Sequence, residues 1–536
     1  MGRNITMSRR HFLELCGVAG SALGAVSLAA CGGTSSDGGD AAATTDGADI
    51  TLTIGLEDEP ESMDIQQVGY DDMVHQLLYE PLICYSADMS EVQPAFATKF
   101  ETSEDGLTFT FTLPEDATFS NGDAIDANAV DASVKRYLAT SQYASDYDSV
   151  DSFEVVDDHT YAMHLKTPAP FMMASLCSPY SGVVEASQAE SMGNDAFGRA
   201  PIANGPYVVD NWEQGNQVTL KRNENYKTNN PNLSNQGVPN VGTVVFRFIP
   251  DEFTRVSEVE SGDVDVILTV PTASVEEVKG NADLTAYDYM LPGVDVVYFN
   301  TDVIPDAVRE AMTYAVNRDE LVAALDGNVT PTFGYIASSQ SCYDADEEDK
   351  LKGELAFDLD KAKQVLADAG YTDSDGDGFV EVDGTKASYE MLVPSDRTAL
   401  TNAAPVLQQQ FAAAGIDVQI RAFENAYIKT QTSAGDYQIT LRAYKWADPD
   451  ILYSFFTPAS GYPWEDATVT ETLTNAREES DTDKRVEDYV EFQEAMKGTH
   501  KAISLFAENL VAASKAAVQN LHITADGRLW VNDVTE

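Results

Sequence analysis

Asp373-Ser374-Asp375-Gly376-Asp377-Gly378, followed by Glu381 and Asp383, sets carboxylates at alternate positions with glycines that permit a tight turn. Hard oxygen donors at that spacing make the first half of a calcium-binding loop. The twelfth position, where a bidentate glutamate would close the shell, is Gly384. Two readings stand: an acidic turn between a helix ending at Ala369 and a strand, or a purely structural calcium site on Asp373, Asp375, Asp377 and Glu381. No other cofactor is expected. A second cluster gathers Tyr444, Trp446, Tyr453, Phe455 and Phe456 with Arg442, Lys445 and Asp448. Taken by itself, such an aromatic run reads as a buried strand and helix start.

The reactive inventory argues against catalysis. Of the six histidines, at 11, 75, 159, 164, 500 and 522, none stands in H-E-x-x-H or beside a nucleophile motif. His159 and His164 have opposite parity along a strand and point to opposite faces. There is no G-x-S-x-G, no P-loop and no G-x-G-x-x-G. Among 88 acidic residues, any chosen carboxylate pair says little about glycosidase chemistry. The chain is therefore not expected to be an enzyme.

The N-terminus carries the other reactive group. Ser8-Arg9-Arg10-His11-Phe12-Leu13 places a twin arginine ahead of a Leu/Ala/Gly/Val/Ser stretch ending at Ala30. Leu28-Ala29-Ala30-Cys31 resembles a bacterial lipobox, in which the cysteine thiol is acylated and becomes the mature N-terminus. Residues 1–30 are then a twin-arginine lipoprotein signal peptide and 31–49, rich in Ser, Asp and Gly, a flexible tether. The competing reading is a retained transmembrane anchor, for which the stretch is short. At about 0.8 kcal/mol per buried methylene, two acyl chains hold a protein durably on the extracytoplasmic face of the cell membrane, at the cell surface or in the periplasm.

Composition bounds the rest. The chain has 536 residues and 43% hydrophobic content, enough for a large core and too much for one ordinary domain, so two or three lobes are expected. Formal charge is −55; removing residues 1–30, with three Arg and one Glu, leaves −57. A surface so acidic repels phosphate backbones and excludes nucleic acid as a partner. Beyond Cys31 remain Cys84, Cys177 and Cys342, whose spacing fits no metal motif and whose odd number permits one internal disulfide at most.

Period-two patterns at 50–56, 108–113, 161–165 and 244–248 predict half-buried strands. Ala362, Val365, Leu366 and Ala369 predict an amphipathic helix capped by Asp358 and stopped by Gly370. The fold class is α/β. Without a long linker after Asp49, the lobes are expected to interleave.

A family resemblance emerges from several segments in order. Glu59-Pro60-Glu61-Ser62-Met63-Asp64, Leu78-Tyr79-Glu80-Pro81-Leu82, 103–111 and Phe119-Ser120-Asn121-Gly122-Asp123 come first. Asn204-Gly205-Pro206-Tyr207, the 220–226 segment, Arg255 to Asp265, Asn300-Thr301, 308–311 and 315–318 follow. Together they resemble the extracellular solute-binding proteins of family 5, the oligopeptide, dipeptide and nickel binders of ABC importers, from about Ile50 to the region of Pro458. The resemblance implies a periplasmic-binding-protein-like type II two-lobed clamp with an additional subdomain. Lobe I would take 50–77, 199–294 and 505–536, the subdomain 78–198, and lobe II 295–504. It implies a monomer that closes on a peptide or peptide-like solute and hands it to permease subunits driven by ATPase subunits. Alternatives are a non-peptide solute (a small organic anion, metal chelate or sugar) in the same fold, or a surface receptor or adhesin.

The same resemblance assigns site residues. Gly69, Tyr70 and Asp71 lie where relatives offer backbone hydrogen bonds to an extended ligand, and Trp446-Ala447-Asp448-Pro449-Asp450 is similar to the cleft segment. Peptide binders usually place an aspartate for the ligand ammonium three residues before the acidic residue of the D-P pair, and here that position is Lys445. Either a short deletion moves Asp448 into that role, or the cleft takes a ligand without a free amino terminus, such as an anion paired with Lys445 or Arg442. A third possibility leaves Lys445 in solvent.

Overall fold

The fold is organised by one long strand, Ala502–Lys515. Nine of its 14 residues are apolar, and most of it is buried. Its first half pairs antiparallel with Asp295–Phe299 and Val329–Pro331, its second half with Leu284–Met290 and Val266–Ile267. On one side the sheet continues through Ile439–Ala443 and Ser388–Pro394 to Asp417–Phe423. On the other it continues through Thr51–Leu56, Thr243–Phe248 and Gln217–Arg222 to Tyr207–Glu213. Strands 51–56 and 243–248 run parallel, as do 388–394 and 417–423. A separate four-stranded antiparallel sheet is built from Lys99–Thr102, Thr108–Thr112, Thr160–Leu165 and Val150–Asp157.

The computed structural model describes residues 50–69, 72–87, 89, 91–458, 466–524 and 527–535. Gly47–Glu536 forms one compact unit. The signal, Cys31 and the tether lie outside the described residues, as do Tyr70 and Asp71. None of the described helices is long and apolar enough to cross a membrane.

The strands predicted near 50–56, 108–113, 161–165 and 244–248 are present at Thr51–Leu56, Thr108–Thr112, Thr160–Leu165 and Thr243–Phe248. The predicted helix is Leu359–Asp368, with the Asp358 carboxylate accepting from the Lys361 N–H and Gly370 at φ +81°. Aspartates cap helices repeatedly: Asp126, Asp251, Asp344, Asp466 and Asp481 each accept a first-turn N–H. Part of the acidic surplus therefore completes helix ends and opposes their dipoles.

Apolar side chains gather into distinct cores. One combines Leu52, Ile54, Val244 and Phe246 with Phe109, Phe111, Tyr161 and Met163 of the four-stranded sheet, so residues 78–198 share a core with the N-terminal strand. Two others draw on residues 294–507. A fourth is closed by Val511 and Ala513. The chain passes between cores at 286–290 and again between Ala507 and Val511. Asp265 ties the second half together, accepting from the Thr53 N–H at 2.7 Å and pairing with Lys515 at 3.0 Å.

Cys84, Cys177 and Cys342 form no disulfide with one another, and the first two are buried. The His164 Nε2–H donates to the Glu154 carboxylate at 2.7 Å.

Candidate functional site

A cavity of about 800 Å³ opens between two walls that are distant in sequence. One wall presents Gly69, Tyr143, Asp146, Phe171 and Tyr180; the other presents Lys445, Trp446, Asp450, Ile451 and Arg477. The first is made by short helical turns, Ala144–Tyr147, Met172–Leu176 and Pro179–Ser181. The second leaves strand Ile439–Ala443, runs through 444–450 and enters helix Ile451–Phe456; Arg477 reaches in from helix Ala467–Glu478.

Local packing fixes the second wall. The Trp446 N–H donates to the Pro292 carbonyl at 2.7 Å, and the Trp446 carbonyl accepts from Gln340 Nε2 at 2.8 Å. Gly293 makes this approach possible, because a Cβ there would lie 1.8 Å from the Tyr444 carbonyl oxygen, and its φ is +148°. The buried Tyr444 hydroxyl donates to the Tyr335 carbonyl at 3.0 Å.

Charge is unevenly satisfied across the cavity. The Arg477 guanidinium lies 4.3 Å over the ring of Phe171 and 4.4 Å over that of Tyr453, so it touches both walls. It also approaches Asp450 Oδ2 at 3.4 Å. The other oxygen, Asp450 Oδ1, is buried with no hydrogen-bond partner among the described residues. Burial pushes the Asp450 carboxyl up to about 7 against the pull of Arg477. Across the cavity, burial also raises Asp146, which accepts from the Ser175 hydroxyl at 3.0 Å.

Lys445 is already engaged, 3.2 Å from both Asp295 Oδ1 and Glu508 Oε1. Asp295 is fully buried at the start of its strand and keeps Oδ2 unpartnered among the described residues. Burial pushes it up to about 7, opposed by Lys445 and reinforced by Glu508.

Gly69, Lys445 and Trp446 thus line the cavity, while Asp448 and Arg442 do not. The Asp448 carboxylate is held in a bidentate pair by Arg485 at 2.8 and 2.7 Å, and its Oδ1 caps the Asp450 N–H at 2.8 Å. It faces a second, smaller cavity. Arg442 donates to Thr432 Oγ1 at 3.2 Å and lies over Phe455. The Gly69 carbonyl accepts from the Tyr143 hydroxyl at 2.5 Å. Sequence reasoning quoted Asp450 without giving it a role, and missed Asp146, Phe171 and Arg477. Their segments carry no motif, and only the approach of the walls reveals them.

In the acidic loop, Asp373, Asp375 and Asp377 bring ligand atoms within 4.8 Å of one another. Gly378 holds φ +94° at the sixth position, where calcium loops turn sharply. Much of the donor capacity is used locally, however. Asp373 accepts from the Gly376 and Gly378 N–H groups, Glu381 from Ser374, and Lys386 lies 3.2 Å from Asp377. The residues fit half a shell. Calcium titration by calorimetry is expected to show at most weak uptake that raises the melting temperature and leaves solute affinity unchanged. A flat titration at millimolar calcium would remove the site.

Comparison with known proteins supplies the context. The model for bacterial extracellular solute-binding proteins, family 5, matches residues 91–465. The probable D,D-dipeptide-binding periplasmic protein DdpA of Escherichia coli K12 is 24% identical over 496 residues, covering 87% of this chain and 90% of that one. The glutathione-binding protein GsiB of Salmonella paratyphi A is 27% identical over 362 residues, 66% of this chain and 65% of that one. Among solved structures, NikA from Brucella suis with Fe(III)-EDTA superposes at TM-score 0.78 with 22% identity, covering 91% of this chain and 100% of that one. AppA from Bacillus subtilis with a nonapeptide superposes at 0.69 with 20% identity, covering 90% and 98%. The fold is the α/β type II periplasmic-binding-protein clamp, two-lobed with an additional subdomain. In sequence and fold alike, the chain belongs to the bacterial extracellular solute-binding proteins of family 5, binders of solutes rather than enzymes.

Proposed function

We propose that this protein captures a short peptide or peptide-like solute in the 800 Å³ cavity and delivers it, as a monomer, to the permease and ATPase subunits of an ABC importer. The carrying observation is that one cavity is lined from two chain regions with separate cores, leaving the buried Asp450 Oδ1 free to accept. A solute desolvated by both walls stabilises their approach, which is how a clamp couples binding to closure. Lobe I is assigned to 50–77, 199–294 and 505–536, the subdomain to 78–198 and lobe II to 295–504. The passages of the chain between cores at 286–290 and 507–511 lie close to the last two boundaries and support them.

Asp450 is the proposed partner of the ligand ammonium, with Asp146 adding negative charge from the opposite wall. The peptide reading draws on the dipeptide and glutathione binding named for DdpA and GsiB. The chelate named for NikA keeps a second class open, and Arg477 is the cation an anionic ligand would meet. Trp446 is assigned to the ligand's flank. Calorimetry with a short-peptide set tests the reading: Trp446→Ala is expected to weaken binding about tenfold with the melting temperature unchanged. Failure of every peptide to bind, with an organic anion or metal chelate binding instead, would transfer the site to that class.

The Cys31 lipid anchor and export on the twin-arginine pathway are part of the same proposal and place the protein on the extracytoplasmic face of the membrane. Cell fractionation checks this: Cys31→Ser is expected to move the protein from the membrane to the soluble fraction.

A further inference from the structure

On the far side of the Asp448–Pro449–Asp450 segment lies the second cavity, of about 350 Å³. The two cavities share a partition: Phe171 and Asp450 face the first, Pro170 and Asp448 the second. The second is walled by Tyr85, Met89, Phe100, Phe109 and Met173 on one side and by Ser341, Cys342 and the Asp448–Arg485 pair on the other. Phe100 and Phe109 pack with ring centroids 5.8 Å apart.

Three features define what fits. The walls are aromatic and thioether, which suits a polarisable apolar group. Asp448 and Arg485 satisfy each other in a bidentate pair, so that wall offers no free charge to an ion, and the other charged lining residue, Glu91, is exposed to solvent. The Tyr85 hydroxyl is buried with no partner among the described residues, an O–H in need of an acceptor. We propose that this cavity is a side pocket for an uncharged aromatic group and its adjoining carbonyl, presented by the solute held in the neighbouring cleft. At about 350 Å³ the cavity has room for one phenylalanine ring, and the shared partition sets it beside the proposed ammonium site at Asp450.

This inference rests on the peptide reading of the cleft, and Cys342 supplies a readout independent of it. The thiol faces the pocket, and burial pushes it up to about 11, so its alkylation by iodoacetamide at alkaline pH is slow enough to time. The probes are N-acetylphenylalaninamide, N-acetylalaninamide, trialanine and its three single-phenylalanine replacements. Cys342 alkylation, followed by mass spectrometry of its tryptic peptide, is expected to slow at least fivefold with N-acetylphenylalaninamide and with one phenylalanine tripeptide. The two alanine compounds should leave it unchanged. Val92→Trp, which fills the pocket from the 92–94 strand, should abolish the protection, and Tyr85→Phe should shift its midpoint several-fold upward. Equal protection by alanine and phenylalanine probes, or protection that persists in Val92→Trp, overturns the pocket. Peptide binding by calorimetry without any Cys342 protection overturns the pocket and leaves the cleft reading standing. Protection by N-acetylphenylalaninamide without binding of any peptide overturns the peptide reading and leaves the pocket.

Discussion

Arg485→Met is expected to destabilise the protein by about 3–5 kcal/mol, the usual effect of stranding one member of a buried ion pair. Asp448 is 1% exposed and accepts both guanidinium hydrogen bonds. Arg485 is 5% exposed and donates a further bond to the Ala476 carbonyl at 2.8 Å. Removing the cation leaves a nearly buried carboxylate without its ion-pair partner. The double variant Arg485→Met/Asp448→Leu removes both charges and should recover most of the loss, since well-packed apolar residues replace buried pairs at little cost. Urea denaturation of the three proteins measures this; a single variant within about 1 kcal/mol of the parent would show that the pair is not structural. Asp448→Ala is expected to behave like Arg485→Met, so any loss of peptide affinity in it must be read beside its stability.

Asp450→Asn should lower affinity for peptides with a free amino terminus by roughly tenfold to a hundredfold, the equivalent of one charge-assisted hydrogen bond of about 1.5–3 kcal/mol in a desolvated site. N-acetylated peptides should lose little. The interaction needs the carboxylate, and the unligated group titrates at about 7, so affinity should rise between about pH 6 and 8 and lose that dependence in Asp450→Asn. The effect on the unligated fold has the opposite sense. Asp450 and Asp295 both titrate at about 7 in the folded protein, against about 3.9 when unfolded. Between those values the folded state binds more protons, so its stability falls as pH rises through that window. Unligated protein should therefore melt higher at pH 5 than at pH 8 as far as these two groups are concerned, with added peptide narrowing the gap. Affinity that is flat with pH and indifferent to Asp450→Asn would remove Asp450 from the site.

The burial of these acids also explains why Lys445 is a poor anchor for an anionic ligand. It lies 3.2 Å from each of two carboxylates, and a ligand anion would have to draw it away from Asp295, which has no other cation beside it among the described residues. Lys445→Ala accordingly acts on the passage between cores, where Asp295 and Glu508 sit, as well as on the cavity wall.

Much of the molecule was legible from local pattern. Alternation at 51–56, 108–112, 160–165 and 243–248 specified strands because a sheet with one buried face imposes period two. Asp358 and Gly370 bracketed a helix because a side-chain cap and a positive-φ stop are chemical requirements of helix ends. The ordered family segments pointed to a solute binder, and Trp446 and Lys445 were named for a segment that does line the cavity.

What the sequence by itself determined is four of the strands, one capped helix, the acidic surplus and the membership of a binding family, since these follow from residue types at short spacing. Which carboxylate remains free for a ligand was decided only by the tertiary structure. Asp448 and Asp450 are two residues apart, and the sequence pointed to the first. Arg485, from a helix thirty-odd positions away, takes both oxygens of the first, whereas Arg477 engages only one oxygen of the second. Likewise, nothing near Phe171 in sequence foretells that its ring will stack on Arg477, because that contact exists only when the long strand 502–515 has brought two separately cored regions face to face. A charge's role depends on its partners and its distance from water, and both are properties of the folded chain.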